Sequence, residues 1–494
     1  MSHYKPDPNK SVTLTIDGIP VTVPEGTRIL EAAQKVKVRI PTLCDHPALG
    51  KRAVCRICVV ECDGRGKLMA ACANYVAEGM NIVTSNARIT AIRKMIVELL
   101  LANHPQECLT CVRSKKCELQ SLAEQFSSTK PLFRNEAMDR QPPKTENGTL
   151  VRDMAKCVRC GRCVEACQER QTVRAINSAH RSIEYEICTP YGQDLSGGTC
   201  IFCGQCADVC PVGALYEYDQ SAEVWEALYN SDKHVVAQIG AQAGRILDDE
   251  FGLPPGTITN GAMVSALKHM GFNKVFDAGF FAGLTRKEEY SELLARLKNN
   301  GQPGKPLPLI ISESPDWLYF TEKFYPDLVN HLPLRESPQS KFGTMAKASE
   351  SGLSGLDPAK ITPVSVVPGI SEKYEAQRLG MGANGSRHVD IALTVKELAR
   401  MIRLAGIDLK ALPESPFDSV NGDSATDDPF TALSRLDFTE VDQGLKEAEL
   451  DLDGSKIKVL AVNGLANARK VMDSIRKGEC KAALVEVNGI NALL

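Results

Sequence analysis

Ser11-Val-Thr-Leu-Thr-Ile16 and Ile19-Pro-Val-Thr-Val-Pro24 each alternate apolar and polar side chains, and Asp17-Gly18 separates them. That period of two about a turn dipeptide predicts a β-hairpin over 11–26. Residues 27–36, TRILEAAQKV, change to helical spacing. Residues 86–126 read as largely helical, interrupted at 104–117 by a cysteine-bearing loop. The Pro, Asn and Gly of 127–150 mark a linker. After about residue 225 the texture becomes strand-like runs, HVVAQIG, KVFDAG, PLIISES, VDIALTV, KVLAVNG and AALVEVNG, alternating with amphipathic helices. This alternation predicts an α/β domain, with soft segments at 345–357 and 412–428. The longest apolar stretches, such as MIVELLLA at 95–102, fall short of the roughly 18 residues that span a bilayer and read as core.

At 494 residues the chain is expected to form three or four domains, because single cores seldom grow so large. Hydrophobic and charged contents of 43% and 24% are those of a globular protein. A net charge of −3 with no basic stripe gives nucleic acid no footprint. The N-terminus carries no apolar export signal, so a soluble, cytoplasmic protein without membrane attachment is expected. Cysteine changes the picture. Of 18, 17 lie between Cys44 and Cys210, and only Cys480 lies beyond. In a reducing compartment such density argues for metal ligation rather than disulfides, and thiolate-rich sites select zinc, copper(I) or iron–sulfur clusters.

Four constellations emerge. Cys44, Cys55, Cys58 and Cys72 could hold one 2Fe–2S cluster or a structural zinc. Their spacing resembles the 2Fe–2S domain that opens complex I large iron–sulfur subunits and iron-only hydrogenases. Cys62 has no place in it. HPQECLTCVRSKKC supplies His104, Cys108, Cys111 and Cys117. The same two families carry a 4Fe–4S site with one histidine and three cysteines in this form, which implies His104 as a ligand. CVRCGRCVEAC at 157–167 and CIFCGQCADVCP at 200–211 are both C-x2-C-x2-C-x3-C. In that two-cluster ferredoxin signature the fourth cysteine of each run serves the other cluster. One 4Fe–4S is then expected on Cys157, Cys160, Cys163 and Cys210, and its twin on Cys200, Cys203, Cys206 and Cys167. Cys188 reads as a core thiol.

The second half resembles the iron-only hydrogenase catalytic domain in HVVAQIGAQAGRILDDEFGLPPG and GFNKVFDAGFFAGLTRKEEYSELLARL. Working members hold a 4Fe–4S joined to a di-iron unit through four cysteines in three motifs. Here Glu313-Ser314-Pro315 stands where the first motif has two cysteines. Gly369 stands for the cysteine of the second, and Glu372 for its lysine. The third motif, laid from Glu486, puts Ile490 and Leu494 at its cysteine positions, and Cys480 lies upstream of both. The resemblance therefore implies an emptied scaffold with no catalytic residue.

The expected fold is multidomain, α+β and α/β. A β-grasp 2Fe–2S domain occupies 1–80, a histidine-ligated 4Fe–4S domain 81–130, a two-4Fe–4S ferredoxin domain 140–220 and a degenerate hydrogenase domain 225–494. Gly380, Gly382 and Gly385 satisfy G-x-G-x-x-G, yet a helix-like segment precedes them and a strand follows, the reverse of a dinucleotide fingerprint. With no nucleotide site expected, FMN or FAD and NAD(P) are assigned to partners. Relatives of this layout imply those partners: a flavin-containing NADH-oxidising subunit, a small thioredoxin-like 2Fe–2S subunit, and ferredoxin. The implied role is electron relay in a hetero-oligomeric, electron-bifurcating NADH/ferredoxin:NADP transhydrogenase. An electron-transfer subunit of an NAD-linked formate dehydrogenase or complex I-like enzyme, and a redox sensor or scaffold, are the alternatives. Sensors usually carry an output module, and none is evident.

Overall fold

The computed structural model describes residues 7, 9–63, 66–127, 142–299, 301, 304–312, 314–334, 336–378, 387–420, 445–452 and 455–488. Most of the 127–150 linker lies outside these residues, as do Glu313, Gly380, Gly382, Gly385, Ile490 and Leu494.

Strands β1 (Ser11–Ile16) and β2 (Ile19–Pro24) form the expected hairpin. Asp17 and Gly18 both take positive φ, 51° and 81°, as a two-residue turn matched to strand twist requires. Val12, Leu14, Ile16, Val21 and Val23 are buried, against helix α1 (Ile29–Lys35). Strands β3 (Val59–Cys62), β4 (Lys67–Ala70) and β5 (Asn81–Val83) complete a mixed sheet in the order β2-β1-β5-β3-β4. The long connection from α1 to β3 carries Cys44, Cys55 and Cys58. Helix α2 (Ala87–Ala102), capped by Asn86, leads to the second cysteine loop, and α3 (Glu118–Gln125) leaves it.

The next module contains β6 (Lys144–Glu146), β7 (Leu150–Arg152), α4 (Arg162–Glu165), β8 (Asn177–Ala179), β9 (Glu186–Cys188), α5 (Gln205–Asp208) and β10 (Leu215–Glu217). Its two cysteine loops repeat each other in backbone as well as in sequence. Arg159 and Phe202 sit at φ 56° and 54°, and Gly161 and Gly204 at 78° and 77°. Those left-handed residues turn each loop back on itself, and each loop runs into one short helix.

Two four-stranded sheets make up the rest. Elements α6 (Ser221–Tyr229), β11 (His234–Ile239), α7 (Gln242–Phe251), α8 (Asn260–Met270), β12 (Lys274–Asp277), α9 (Ala278–Lys298), β13 (Leu309–Ile311), α10 (Pro315–Phe324) and α11 (Pro338–Ser354) come first. They are followed by β14 (Ile361–Val367), α12 (Ile370–Ala376), β15 (Ile391–Thr394), α13 (Val395–Leu404), β16 (Leu445–Leu452), β17 (Ser455–Asn463), α14 (Leu465–Arg476) and β18 (Leu484–Asn488). One sheet is wholly parallel, β12-β11-β14-β15; the other, β13-β18-β17-β16, has β16 antiparallel at its edge. The ferredoxin module packs on this half. Phe202 stacks on Tyr374 at 4.0 Å between centroids, and one apolar cluster runs from Leu150 through Phe202 and Phe320 to Val487.

Two expectations are corrected here. Most of the soft segment 345–357 is helical: it lies in α11, with Ser337 accepting from the Ser340 N–H at one end and Gly355 at φ 64° at the other. Buried Phe342 and Ala346 anchor that helix, and Glu350 is held by His234 and Lys274. Central strand β14, buried at every position, was not anticipated. Pro363 disguises it, since proline lacks the N–H a central strand would normally donate.

Candidate metal centres and the adjoining cavity

Cys44, Cys58 and Cys72 are buried and Cys55 is partly so. Hydrogen bonds within the set pull the Cys44 thiol down, through Cys55 and Cys72, and push those two up. Thiol contacts thus link the four in a chain, Cys55 to Cys44, Cys44 to Cys72 and Cys72 to Cys58. Arg93 of α2 secures the wall beside them, donating from Nε to Ile57 O at 3.1 Å and from Nη2 to Val59 O at 2.7 Å. Cys62 lies on β3 in the domain's apolar core and shares no bond with the set.

His104, Cys108, Cys111 and Cys117 line a single void together with Lys156. The His104 ring bonds to the Lys156 backbone, and burial lowers its pKa, keeping it neutral. Its Nδ1 is buried with no partner. A ring held by the backbone, with one nitrogen left without a partner beside a void shared with three cysteines, suits a metal-ligating histidine. Space is tight: a Cβ on Gly213 would lie 2.8 Å from Cys111 Sγ.

The remaining eight cysteines divide across their two runs. Cys157, Cys160, Cys163 and Cys210 line one void, and Cys167, Cys200, Cys203 and Cys206 another. Backbone N–H groups of Arg159, Phe202 and Ala175 donate to the sulfurs of Cys157, Cys200 and Cys167 at 3.4, 3.4 and 3.2 Å. Burial pushes Cys157 up to about 11, Cys160 and Cys200 to about 12, and Cys163, Cys203 and Cys206 well above the ordinary thiol value. Thiols so desolvated become thiolates when a cation compensates them, which is how metal binding and deprotonation are coupled. Among the described residues no three such donors converge on the position of one ion. The sets enclose voids, a geometry suited to a polynuclear cluster more than to a single zinc with ligands at about 2.0–2.3 Å. Cys188 and Cys480 line none of these voids.

One side chain that sequence reasoning passed over ties three sets together. Arg162, between Cys160 and Cys163, is 4% exposed. It donates to both Glu118 carboxylate oxygens at 2.6 and 2.8 Å and to Asp45 O at 2.7 Å. Asp45 adjoins Cys44, and Glu118 adjoins Cys117. A buried guanidinium thus touches the chain beside each neighbouring set.

Beyond the Cys203 loop lies a cavity of about 650 Å3, at the C-terminal ends of the parallel strands, where open α/β sheets place their ligands. It is lined by Ser314, Gly369 and Glu372, the positions at which the hydrogenase motifs carry two cysteines and a lysine. The donor set does not fit a cluster joined to a di-iron unit. Ser314 Oγ donates to the Asp316 carboxylate. Gly369 offers no side chain, and the space where its Cβ would stand is 3.5 Å from Glu372 Oε2. Lys373 does not replace the lost lysine: its ammonium is bound to Glu397 and Tyr218 O, both at 2.7 Å. Cys480 is not among the lining residues.

Comparison with known proteins finds four domain matches along the chain. Residues 9–87 match a 2Fe–2S iron–sulfur cluster binding domain. Residues 93–131 match the NADH-ubiquinone oxidoreductase-G iron–sulfur binding region, and 148–216 the ferredoxin-like domain of NADH-quinone oxidoreductase subunit 3. Residues 233–489 match the C-terminal domain of the iron-only hydrogenase large subunit. The NADP-reducing hydrogenase subunit HndD of Solidesulfovibrio fructosivorans is 36% identical over 95% of this chain and 85% of its own. Iron hydrogenase 1 of Clostridium pasteurianum is 31% identical over 96% and 86%. A solved FeFe-hydrogenase, from work on oxygen inactivation of the H cluster, superposes with a TM-score of 0.50 at 25% identity, covering 56% of this chain and 83% of that one. The chain belongs to the iron-only hydrogenase large-subunit family, as a multidomain iron–sulfur member with serine and glycine at two of the active-site cysteine positions.

Proposed function

We propose that this chain is the electron-relay subunit of an NADH/ferredoxin:NADP oxidoreductase, with no hydrogenase activity of its own. Cys44, Cys55, Cys58 and Cys72 would hold one 2Fe–2S cluster. His104 with Cys108, Cys111 and Cys117, Cys157 with Cys160, Cys163 and Cys210, and Cys200 with Cys203, Cys206 and Cys167 would hold three 4Fe–4S clusters. When bound, such clusters pass single electrons at potentials set by cluster type, burial and hydrogen bonds to sulfur. The protein's part is to fix the three neighbouring sets through Arg162 and to supply the N–H donors at Cys157, Cys167 and Cys200.

The observation that carries the reading is the pairing of four donor sets with a thiol-poor cavity at the end of the series. A wire is present where a catalyst's ligands are missing. A relative named as a subunit of an NADP-reducing hydrogenase favours a hetero-oligomer handling NADP. The partners in this reading are a flavin-containing NADH-oxidising subunit, a thioredoxin-like 2Fe–2S subunit and ferredoxin. Two electrons from NADH and two from reduced ferredoxin would then reduce two NADP. Purification of the native complex, with flavin and iron analysis, tests the reading. NADP reduction that requires both donors is expected; hydrogen uptake at ordinary hydrogenase rates overturns it.

A further inference from the structure

The two cysteine loops of the ferredoxin module share a backbone but not their surroundings. Gly161 and Gly204, at φ 78° and 77°, are equivalent positions. A Cβ on Gly161 would lie 2.7 Å from Arg52 Nε, whereas one on Gly204 would lie 3.2 Å from Ile370 Cδ1. The N-terminal 2Fe–2S domain therefore covers the first loop, and the hydrogenase-like half covers the second. The void around Cys157, Cys160, Cys163 and Cys210 is lined from within residues 154–215 alone. That around Cys167, Cys200, Cys203 and Cys206 takes Ile370 as well.

Four side chains of the hydrogenase-like half converge on this second set. Tyr374 stacks on Phe202, and Ile370, 3% exposed, closes the void beside Gly204. Arg469 of α14 donates from Nε to Thr172 Oγ1 at 2.8 Å and from Nη2 to Thr172 O at 2.9 Å. It thereby holds the segment whose Ala175 N–H donates to Cys167 Sγ. Lys323, in the last turn of α10, donates from Nζ to Gly198 O at 2.8 Å and to Cys200 O at 2.7 Å. It differs from the other three in bringing charge onto a ligand residue itself. Burial raises the Cys200 pKa, and Lys323 opposes the rise while Cys167 and Glu146 add to it. The ammonium is thus within electrostatic reach of that sulfur.

We infer that Lys323 is a positioning residue through which the hydrogenase-like half sets the potential of the cluster on Cys200, Cys203, Cys206 and Cys167. Such a cluster becomes more negative on reduction, and its potential follows the charge in and around it. An ammonium held on a ligand's carbonyl favours the reduced state, so Lys323 raises that cluster's midpoint. The twin cluster, covered from the other side, is spared. Two clusters with the same ligand pattern thereby become inequivalent, and a half that has lost active-site cysteines keeps a task. The inference rests on the relay reading for the presence of the cluster.

The test uses the full-length chain, prepared anaerobically with its clusters. It is titrated with a chemical reductant and followed by electron paramagnetic resonance, without NADP or partner proteins. Lys323→Gln keeps an N–H donor for the two carbonyls and removes the charge. At the potential that half-reduces the parent's cluster, the ratio of reduced to oxidised should fall severalfold for one 4Fe–4S signal, with the other clusters unmoved. Lys323→Arg restores the charge and should return the midpoint to the parent's. Lys323 is exposed, so iron content and thermal unfolding should match the parent in both variants. An unmoved midpoint in Lys323→Gln, an equal shift of every cluster, or a shift that Lys323→Arg does not reverse would overturn the inference. A preparation without iron would overturn the relay reading along with it, whereas a full iron complement with an unmoved midpoint sinks this inference alone.

Discussion

Replacing Arg162 with methionine keeps the length and apolar stem of the side chain but removes the guanidinium that joins three donor sets. Glu118 is 43% exposed in its side chain and can rehydrate once released, so little of the penalty falls there. The Asp45 carbonyl, at 2.7 Å, loses a charge-assisted hydrogen bond worth about 1.5–3 kcal/mol. Arg162→Met should therefore destabilise the chain by about 2–3 kcal/mol, measured by anaerobic denaturant unfolding. It should also lower potentials. A unit charge at roughly 10 Å, in an effective dielectric near 20, is worth about 1–2 kcal/mol. For one-electron steps that is on the order of tens of millivolts. Potentiometric titration followed by electron paramagnetic resonance should find at least two clusters harder to reduce. Arg162→Lys restores the charge without the fork, so potentials should recover while much of the stability loss remains. Unchanged potentials in Arg162→Met would refute the claim that this side chain acts on the clusters.

Gly213→Ala places a methyl 2.8 Å from Cys111 Sγ and should abolish the signal of the histidine-ligated cluster while leaving the other signals, as read by paramagnetic resonance. Cys210→Ala should cost about four iron atoms per chain, whereas Cys62→Ala, outside every set, should cost none by elemental analysis. Burial raises Asp316 to about 7, above its unfolded value. Its neutral form thus favours folding at low pH, and that contribution of about 4 kcal/mol is lost as pH rises from about 4 through 7. Asp316→Asn should flatten the pH dependence of unfolding between about pH 4 and 7, and a slope unchanged from the parent would sink the assignment.

How much of this could be read in advance depended on whether meaning lay in local spacing. The hairpin at Asp17-Gly18, helix α1 and the cysteine runs are local, and their sequences show them directly. His104 became visible through the resemblance of its loop, since one histidine has no periodicity to betray it. Strand β14 was hidden by Pro363, and the helix over 338–354 by its many Ser and Gly residues, whose neighbours Phe342 and Glu350 find partners only in the folded chain. Arg162 looked like a spacer between cysteines; its partners are 44 and 117 residues away. The cavity is the least legible feature of all. Its lining comes from several separate elements and forms no motif, and the loss of cysteine at 314 and 369 announced only what the site lacks. Likewise, only the fold shows that Lys373, next to Glu372, is committed to Glu397.

Iron, acid-labile sulfide and hydrogen formation, measured on one anaerobic preparation of the full chain, bear most directly on the division between wire and catalyst. About 14 iron atoms per chain are expected, as one 2Fe–2S and three 4Fe–4S clusters, with no hydrogen formed from a reduced viologen. Zinc in place of iron, or hydrogen formation accompanied by further iron beyond that total, would contradict it.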